Sequence, residues 1–215
     1  MKSISSHGLL ITFEGCDGGG KTTQLRRLAE RLQQEHWPFL KLREPGGTDI
    51  SEAIRAILLK KSAVSLFPET ELLLFAASRA QLVREVMEPA LQAGEIVLCD
   101  RFMDSTTVYQ GVARCLSMES VQAINSLAIG AVKPHLTFVL DITPEVSRQR
   151  LLQRNLCGMD RMEEEDVAFY TAVREGYLRL AAENSDRMMV IDANQEESVI
   201  ANLIWERVKM AWLAR

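Results

Sequence analysis

Apolar residues recur in two rhythms along the chain. Short runs fall at Leu9–Phe13, Phe39–Leu42, Glu95–Cys99, Leu136–Leu140 and Met188–Ile191, each of strand length and bounded by polar or glycine-containing segments. Between them the spacing turns helical. Leu25, Leu28, Ala29 and Leu32 mark a helix over Thr22–Glu35. Others are predicted over Ser51–Lys60, Glu69–Ala93 (broken or bent near Pro89), Met118–Ala131, Pro144–Arg154, Val167–Ala182 and Glu196–Ala214. In the last helix, Val199, Ile200, Leu203, Val208 and Trp212 form an apolar stripe expected to face the core. Strands alternating with helices predict an α/β fold: a mostly parallel five-stranded sheet with helices on both faces. The 215 residues fit a single domain. In such sheets ligands bind beyond the carboxyl ends of the strands, which is where the polar motifs cluster.

The first of these motifs is Gly15-Cys16-Asp17-Gly18-Gly19-Gly20-Lys21-Thr22, with Thr23 following. It matches GxxxxGK[ST] between a predicted strand and a predicted helix, the context that phosphate binding requires. Glycines let backbone N–H groups turn onto phosphate oxygens, the helix start adds positive potential, Lys21 reaches the β- and γ-phosphates, and the Thr22 hydroxyl meets Mg²⁺. Asp100 closes the run Ile96-Val97-Leu98-Cys99, an apolar strand ending in a carboxylate suited to supporting Mg²⁺. These features predict a three-layer P-loop NTPase fold that binds ATP–Mg²⁺. Asp17 is unusual there, because a carboxylate near phosphates is costly and has to be neutralised or turned away.

Bulk properties narrow the partners. A formal net charge of −4 argues against a general nucleic-acid binder, and no apolar run approaches the roughly 20 residues of a membrane span. The opening residues, with one Lys leading straight into the first strand, do not read as a signal peptide. Cys16, Cys99, Cys115 and Cys157 contain no CxxC pair, which suits a reducing, cytoplasmic setting. Cys16, inside an electropositive loop, is a candidate for raised nucleophilicity. His7, His36 and His135 have no ligand spacing and are given no metal or base role.

Four further segments are Arg43-Glu44-Pro45-Gly46-Gly47-Thr48, Phe75-Ala76-Ala77-Ser78-Arg79, Asp100-Arg101-Phe102 with Ser105-Thr106 and Tyr109-Gln110-Gly111, and Asp160-Arg161-Met162-Glu163. In this order, and across nearly the whole chain, they resemble the motifs of thymidylate kinases. Only the third residue of Asp-Arg-Phe departs, since the family more often has Tyr or His there. The resemblance implies transfer of the γ-phosphoryl group of ATP to dTMP, by a cytosolic homodimer. It implies that Arg43 and Arg101 contact the dTMP phosphate, that the base stacks on Phe75, and that Arg79 donates to the thymine O4. Ser105 would lie near the acceptor, Thr106 would meet the thymine N3, Tyr109 and Gln110 would wall the sugar and base, and Asp17 would meet the acceptor's sugar hydroxyl near the transferring group. Bidentate guanidinium contacts to a phosphate dianion are physically apt. Read without the resemblance, Phe75 would be core, Arg79 solvated, and Arg43 or Arg101 a structural ion pair with Glu44 or Asp100.

Phosphoryl transfer needs a cation at the charge developing on the transferring oxygens. The variable loop positions Cys16, Asp17, Gly18 and Gly19 supply none, so it is expected from a mobile lid over about 150–166. Arg154 is the first choice and Arg161 the second, while Arg148 reads as solvated. Two alternatives stay open: a kinase for another nucleoside monophosphate, which assays with dTMP, dUMP, dCMP, AMP and GMP distinguish, and a nucleotide-hydrolysing switch. The chain has no Asn-Lys-x-Asp element of guanine-specific switches.

Overall fold

The computed structural model describes residues 8–61, 66–154 and 160–215, with Arg154 described by its backbone alone. His7, Cys157 and the expected lid tip at 155–159 therefore lie outside the described residues. Among those residues five strands, β1 (Leu9–Glu14), β2 (Phe39–Arg43), β3 (Ile96–Asp100), β4 (Leu136–Asp141) and β5 (Met188–Asp192), form one sheet in the order β2-β3-β1-β4-β5. Every pairing is parallel, the arrangement of a P-loop NTPase. The central strands β1, β3 and β4 are buried almost throughout, which explains why they read as unbroken apolar runs.

Successive side chains of a strand point to opposite faces, and the two cores follow that alternation. Leu9, Ile11 and Phe13 join Ile96, Leu98 and Phe138 in a core covered by α1 (Lys21–Gln34), α8 (Val167–Glu183) and α9 (Glu197–Leu213). Leu10, Val97 and Cys99 face the other way, into a smaller core with Leu82, Val83, Met87 and Leu91. Helices α2 (Asp49–Leu59), α3 (Pro68–Leu82), α4 (Glu88–Gln92), α6 (Met118–Ile129) and α7 (Pro144–Arg154) complete the body. Trp37 stacks on Trp205 with ring centroids 5.3 Å apart, joining the end of α1 to α9.

Two expectations are corrected and one is made specific. The helix expected over Glu69–Ala93, broken or bent near Pro89, is interrupted just ahead of Pro89 by a π-helical stretch at Val83–Met87, in which the Glu88 amide donates five residues back to Val83. Pro89 cannot donate and its ring crowds the carbonyl four residues back; the widened turn accommodates it and the helix continues as α4. Residues 102–117, to which the sequence assigns no regular element, contain α5 (Met103–Thr106) and a π-helical stretch at Thr107–Ala113. In α9 the buried face is Ile200, Ala201, Ile204, Trp205 and Val208. Val199 and Leu203 of the expected core stripe are 44% and 41% exposed.

A polar seam runs under α5. Thr12 and Thr137 hydroxyls lie 2.8 Å apart, and Arg187 holds buried Asp104 with two bonds of 2.8 and 2.9 Å. This seam fixes α5 against the middle of β1 and the start of β4. Phe138 is fully buried at the sheet centre and packs on Phe13, 5.7 Å between centroids. Phe138→Ala should therefore cost about 3–5 kcal/mol of unfolding free energy in urea titrations; a loss under about 1 kcal/mol would contradict this account of the core.

Candidate active site

The glycine-rich loop leaves β1 through Gly15, whose φ of +120° is open to glycine and whose Cβ, if present, would lie 2.4 Å from the Leu140 carbonyl oxygen. It ends at Gly20, the N-terminal flank of α1, also left-handed with φ +86°. No side chain among the described residues caps α1, so its first N–H groups are left to an anion. Lys21 folds back over the loop, its Nζ donating to Gly15 O at 3.1 Å and Cys16 O at 2.8 Å. Burial, aided by the neighbouring Arg101 charge, lowers its pKa. Thr22 Oγ1 donates to Asp100 Oδ2 at 2.7 Å. That hydroxyl–carboxylate pair, both hard oxygen donors, fits a Mg²⁺ ion held mainly by nucleotide phosphates and water. No cluster of three or more His, Cys, Asp or Glu side chains among the described residues would form a dedicated metal cage.

A cleft of about 410 Å³ opens from this loop, within the size range of small-molecule sites. Asp17, Gly18, Gly20, Lys21, Thr22 and Thr23 line one end; Gly15, Cys16 and Gly19 stand behind them. Arg101, in the left-handed region with φ 69°, spans the middle. Its Nη2 donates to Asp17 Oδ1 at 2.6 Å and its Nη1 to Gly15 O at 3.1 Å, with the guanidinium over the Tyr109 ring. Asp17 is thus neutralised by Arg101, with Lys21 3.7 Å away. Arg101 pairs with Asp17 and not with the adjacent Asp100, the partner of the purely structural alternative.

The turn carrying Arg101 is held from below by Glu14. Glu14 Oε1 accepts from the Phe102 amide at 2.8 Å, and Oε2 accepts from Ser105 Oγ at 2.6 Å and Tyr177 OH at 2.7 Å. Burial, reinforced by Asp104, raises its pKa to about 7 against the opposing pull of Arg101. Phe102, the residue that departs from the family pattern, is a fully buried core side chain beneath the Arg79 guanidinium.

The far end of the cleft is lined by Arg43, Arg55, Phe75, Ser105, Thr106, Tyr109 and Gln110. Arg43 Nη1 and Arg55 Nη1 converge on the Pro45 carbonyl at 2.8 and 2.9 Å. Arg43 Nη2 also donates to both oxygens of Glu52, each at 2.9 Å. Gly46 makes this possible, since a Cβ there would lie 2.3 Å from Arg43 Nη1. Arg79 is neither solvated nor on the cleft wall. Only 1% exposed, it donates to Glu44 Oε2 at 2.7 Å, to Thr106 Oγ1 and Asn125 Oδ1 at 2.9 Å, and to Phe102 O at 3.2 Å.

Of the two arginines expected to supply the catalytic cation, Arg154 ends α7 and its side chain lies outside the described residues. Arg161 is not on the cleft wall: it pairs with Glu71 at 2.6 Å and donates to Leu58 O at 2.9 Å, joining the turn at 161–164 to α2 and α3. Arg148 is exposed. The raised nucleophilicity expected of Cys16 is corrected. Only 3% of Cys16 is exposed, and burial pushes its thiol up to about 11, outweighing the Lys21 charge.

Sequence reasoning missed Glu14, Arg55, Glu71 and Tyr177, and counted Arg150 among the clustered arginines Arg148, Arg150, Arg154 and Arg161 without giving it a role. Arg150 lines the cleft and donates to Gly18 O and Ala193 O, each at 3.2 Å. Glu14 had a local signal, a carboxylate closing an apolar strand just before the loop, and Arg55 follows the Arg43 motif on a predicted helix; the others become visible only through long-range contacts.

Comparison with known proteins spans nearly the whole chain. The family model described as thymidylate kinase matches residues 13–204. A thymidylate kinase of Caldanaerobacter subterraneus subsp. tengcongensis is 46% identical over 202 residues, covering 94% of this chain and 95% of that protein. One from Thermoanaerobacter sp. is 48% identical over 189 residues, covering 88% and 91% respectively. The crystal structure of thymidylate kinase from Ehrlichia chaffeensis superposes with a TM-score of 0.74 at 33% identity, covering 94% of this chain and 98% of that one.

Because the Glu14 pKa is raised above its ordinary 4.5 to about 7, the folded state holds this proton more tightly than the unfolded chain. The resulting stabilisation is complete below about 4.5 and is lost as pH rises through about 7. Glu14→Gln, which cannot ionise, should gain in Tm relative to the native chain between pH 5 and pH 8; a Tm difference that stays flat over that range would contradict the assignment.

Proposed function

This chain belongs to the thymidylate kinase family and phosphorylates dTMP to dTDP, and from that premise we propose how its own residues divide the work. ATP lays its phosphates on the loop amides from Gly15 to Thr23, with Lys21 at the β- and γ-phosphates. Thr22 and Asp100 would hold Mg²⁺, which when bound neutralises charge between those phosphates. The acceptor enters from the other end of the cleft. Its phosphate meets Arg101, with Arg43 and Arg55 behind it, and its base lies on Phe75 with its edge toward Thr106 and Gln110. Tyr109 and Ser105 border the sugar, and Asp17 faces the sugar hydroxyl. Arg79 acts from beneath, fixing the Thr106 hydroxyl that the base meets.

The observation carrying this reading is the single cleft with the phosphate loop at one end, an aromatic and amide wall at the other, and Arg101 between them. Such an arrangement brings donor and acceptor phosphates face to face, so catalysis is mainly positioning and charge stabilisation. The attacking phosphate oxygen is already ionised near neutral pH, so no general base is required. The lid, about 150–166 within a single kinase domain, contributes the remaining cation from the end of α7. We assign that role to Arg154, since Arg161 is engaged by Glu71.

The assembly we propose is a cytosolic homodimer. Ile50 and Ile57 of α2, Leu73 of α3 and Leu127 of α6 are 55%, 54%, 56% and 82% exposed. They lie on helices that pack together on one side of the body, and a second copy would cover them. Arg154→Ala should lower kcat for dTMP by about 10³ with little change in the Kd for ATP, as loss of an arginine finger does; an unchanged kcat in steady-state assays would remove Arg154 from the mechanism.

A further inference from the structure

Glu71 is a carboxylate with 1% exposure in the first turn of α3, outside the cleft wall and outside every motif read from the sequence. Three side chains converge on it. Gln110 Nε2 donates to Oε1 at 2.8 Å, Arg114 reaches both oxygens at 3.3 and 3.4 Å, and Arg161 of the lid segment lies 2.6 Å from Oε2. Arg114 is in turn paired with Glu165. Burial works against the charge on Glu71, but the Gln110 hydrogen bond and the two guanidiniums outweigh it and hold the pKa below the ordinary carboxylate value.

An ionised carboxylate only accepts hydrogen bonds, whereas a glutamine amide has one end that donates and one that accepts. The end of Gln110 turned to Glu71 must therefore be its NH₂. Gln110 lines the cleft, and its Oε1 accepts no hydrogen bond from any described residue. Thr106 Oγ1, expected to meet the thymine N3, already accepts from Arg79; in this arrangement its proton donates to a base carbonyl and the Gln110 oxygen takes its place at N3.

We propose that Glu71 is a positioning residue for base selection: it locks the Gln110 amide with its carbonyl oxygen facing the cleft, so that the site takes a pyrimidine bearing N3–H and disfavours cytosine, whose N3 is a bare acceptor. This rests on the docking above, in which Gln110 lies at the base edge. A buried polar contact left mismatched discriminates strongly between otherwise similar substrates. The lid arginine Arg161 and the body arginine Arg114 serve this selection indirectly, by keeping Glu71 an acceptor.

The test compares kcat/KM for dTMP and dCMP. In Glu71→Gln the new amide can donate or accept, Gln110 is free to flip, and the dTMP/dCMP ratio should fall on the order of tenfold or more. Equal losses for both substrates, with the ratio intact, would mean that Glu71 only supports the structure, and the proposal fails. Gln110→Leu separates the two layers. If it lowers the ratio while Glu71→Gln does not, Glu71 alone is misassigned; if it leaves the ratio unchanged, the docking itself is wrong and the proposal falls with it. Should Glu71→Gln not fold, hydrogen exchange of the Gln110 side-chain NH₂ in the native chain decides. Protection already present without nucleotide is expected, and protection that arises only when dTMP binds overturns the proposal.

Discussion

The ion pair between Arg101 and Asp17 is the contact on which the rest of the site depends. A carboxylate inside a phosphate-binding loop repels the ligand the loop exists to hold. Arg101, arriving from the end of β3 at 2.6 Å, offsets that charge and lies on the cleft wall together with the loop and with Ser105, Thr106 and Tyr109. It can do so because its backbone is left-handed and its side chain is also bonded to Gly15 O. The β1–β3 register, which sets Phe13 beside Asp100, brings the two segments together.

Around that pair the enzyme solves one electrostatic problem repeatedly. Lys21, Arg43, Arg55, Arg101 and Arg150 face one cleft, and without bound phosphates they would repel one another. Anions and carbonyl groups placed beside or beneath the wall hold them instead: Glu14 under the Arg101 turn, Glu52 beside Arg43, and the Pro45 carbonyl between Arg43 and Arg55. A buried polar group is tolerable only when hydrogen-bonded: Glu14 has three donors in the Phe102 amide, Ser105 and Tyr177, whereas Glu52, half-exposed, pairs with Arg43 at the rim. The cations are thereby set in position before either nucleotide arrives, as transition-state stabilisation requires.

The sheet and the phosphate loop were legible in the sequence for physical reasons. Strands covered on both faces must be apolar throughout, and the loop's requirements fall on eight consecutive residues, Gly15 to Thr22. The helix over 103–113 was not legible, because Thr106, Tyr109 and Gln110 face the cleft while Val108 and Gly111 pack behind them; a polar cavity on one side erases the usual apolar stripe. The partners of Glu14 are 88 or more positions away in the chain, and no local pattern announces such contacts. Cys16 failed as a nucleophile for the same kind of reason: the positive loop was visible in the sequence, but the burial that dominates the thiol was not. In α9 the apolar residues outnumber the buried positions, leaving Val199 and Leu203 outside.

The central claim is that Arg101 compensates the charge of Asp17 and so makes the loop compatible with ATP. A double-mutant cycle on ATP binding, measured by calorimetry for the native chain, Arg101→Met, Asp17→Asn and the double variant, tests it most directly. The account predicts that Arg101→Met weakens ATP binding and that adding Asp17→Asn restores most of the loss, with a coupling of about 1–3 kcal/mol. Strictly additive effects, with no recovery in the double variant, would contradict it.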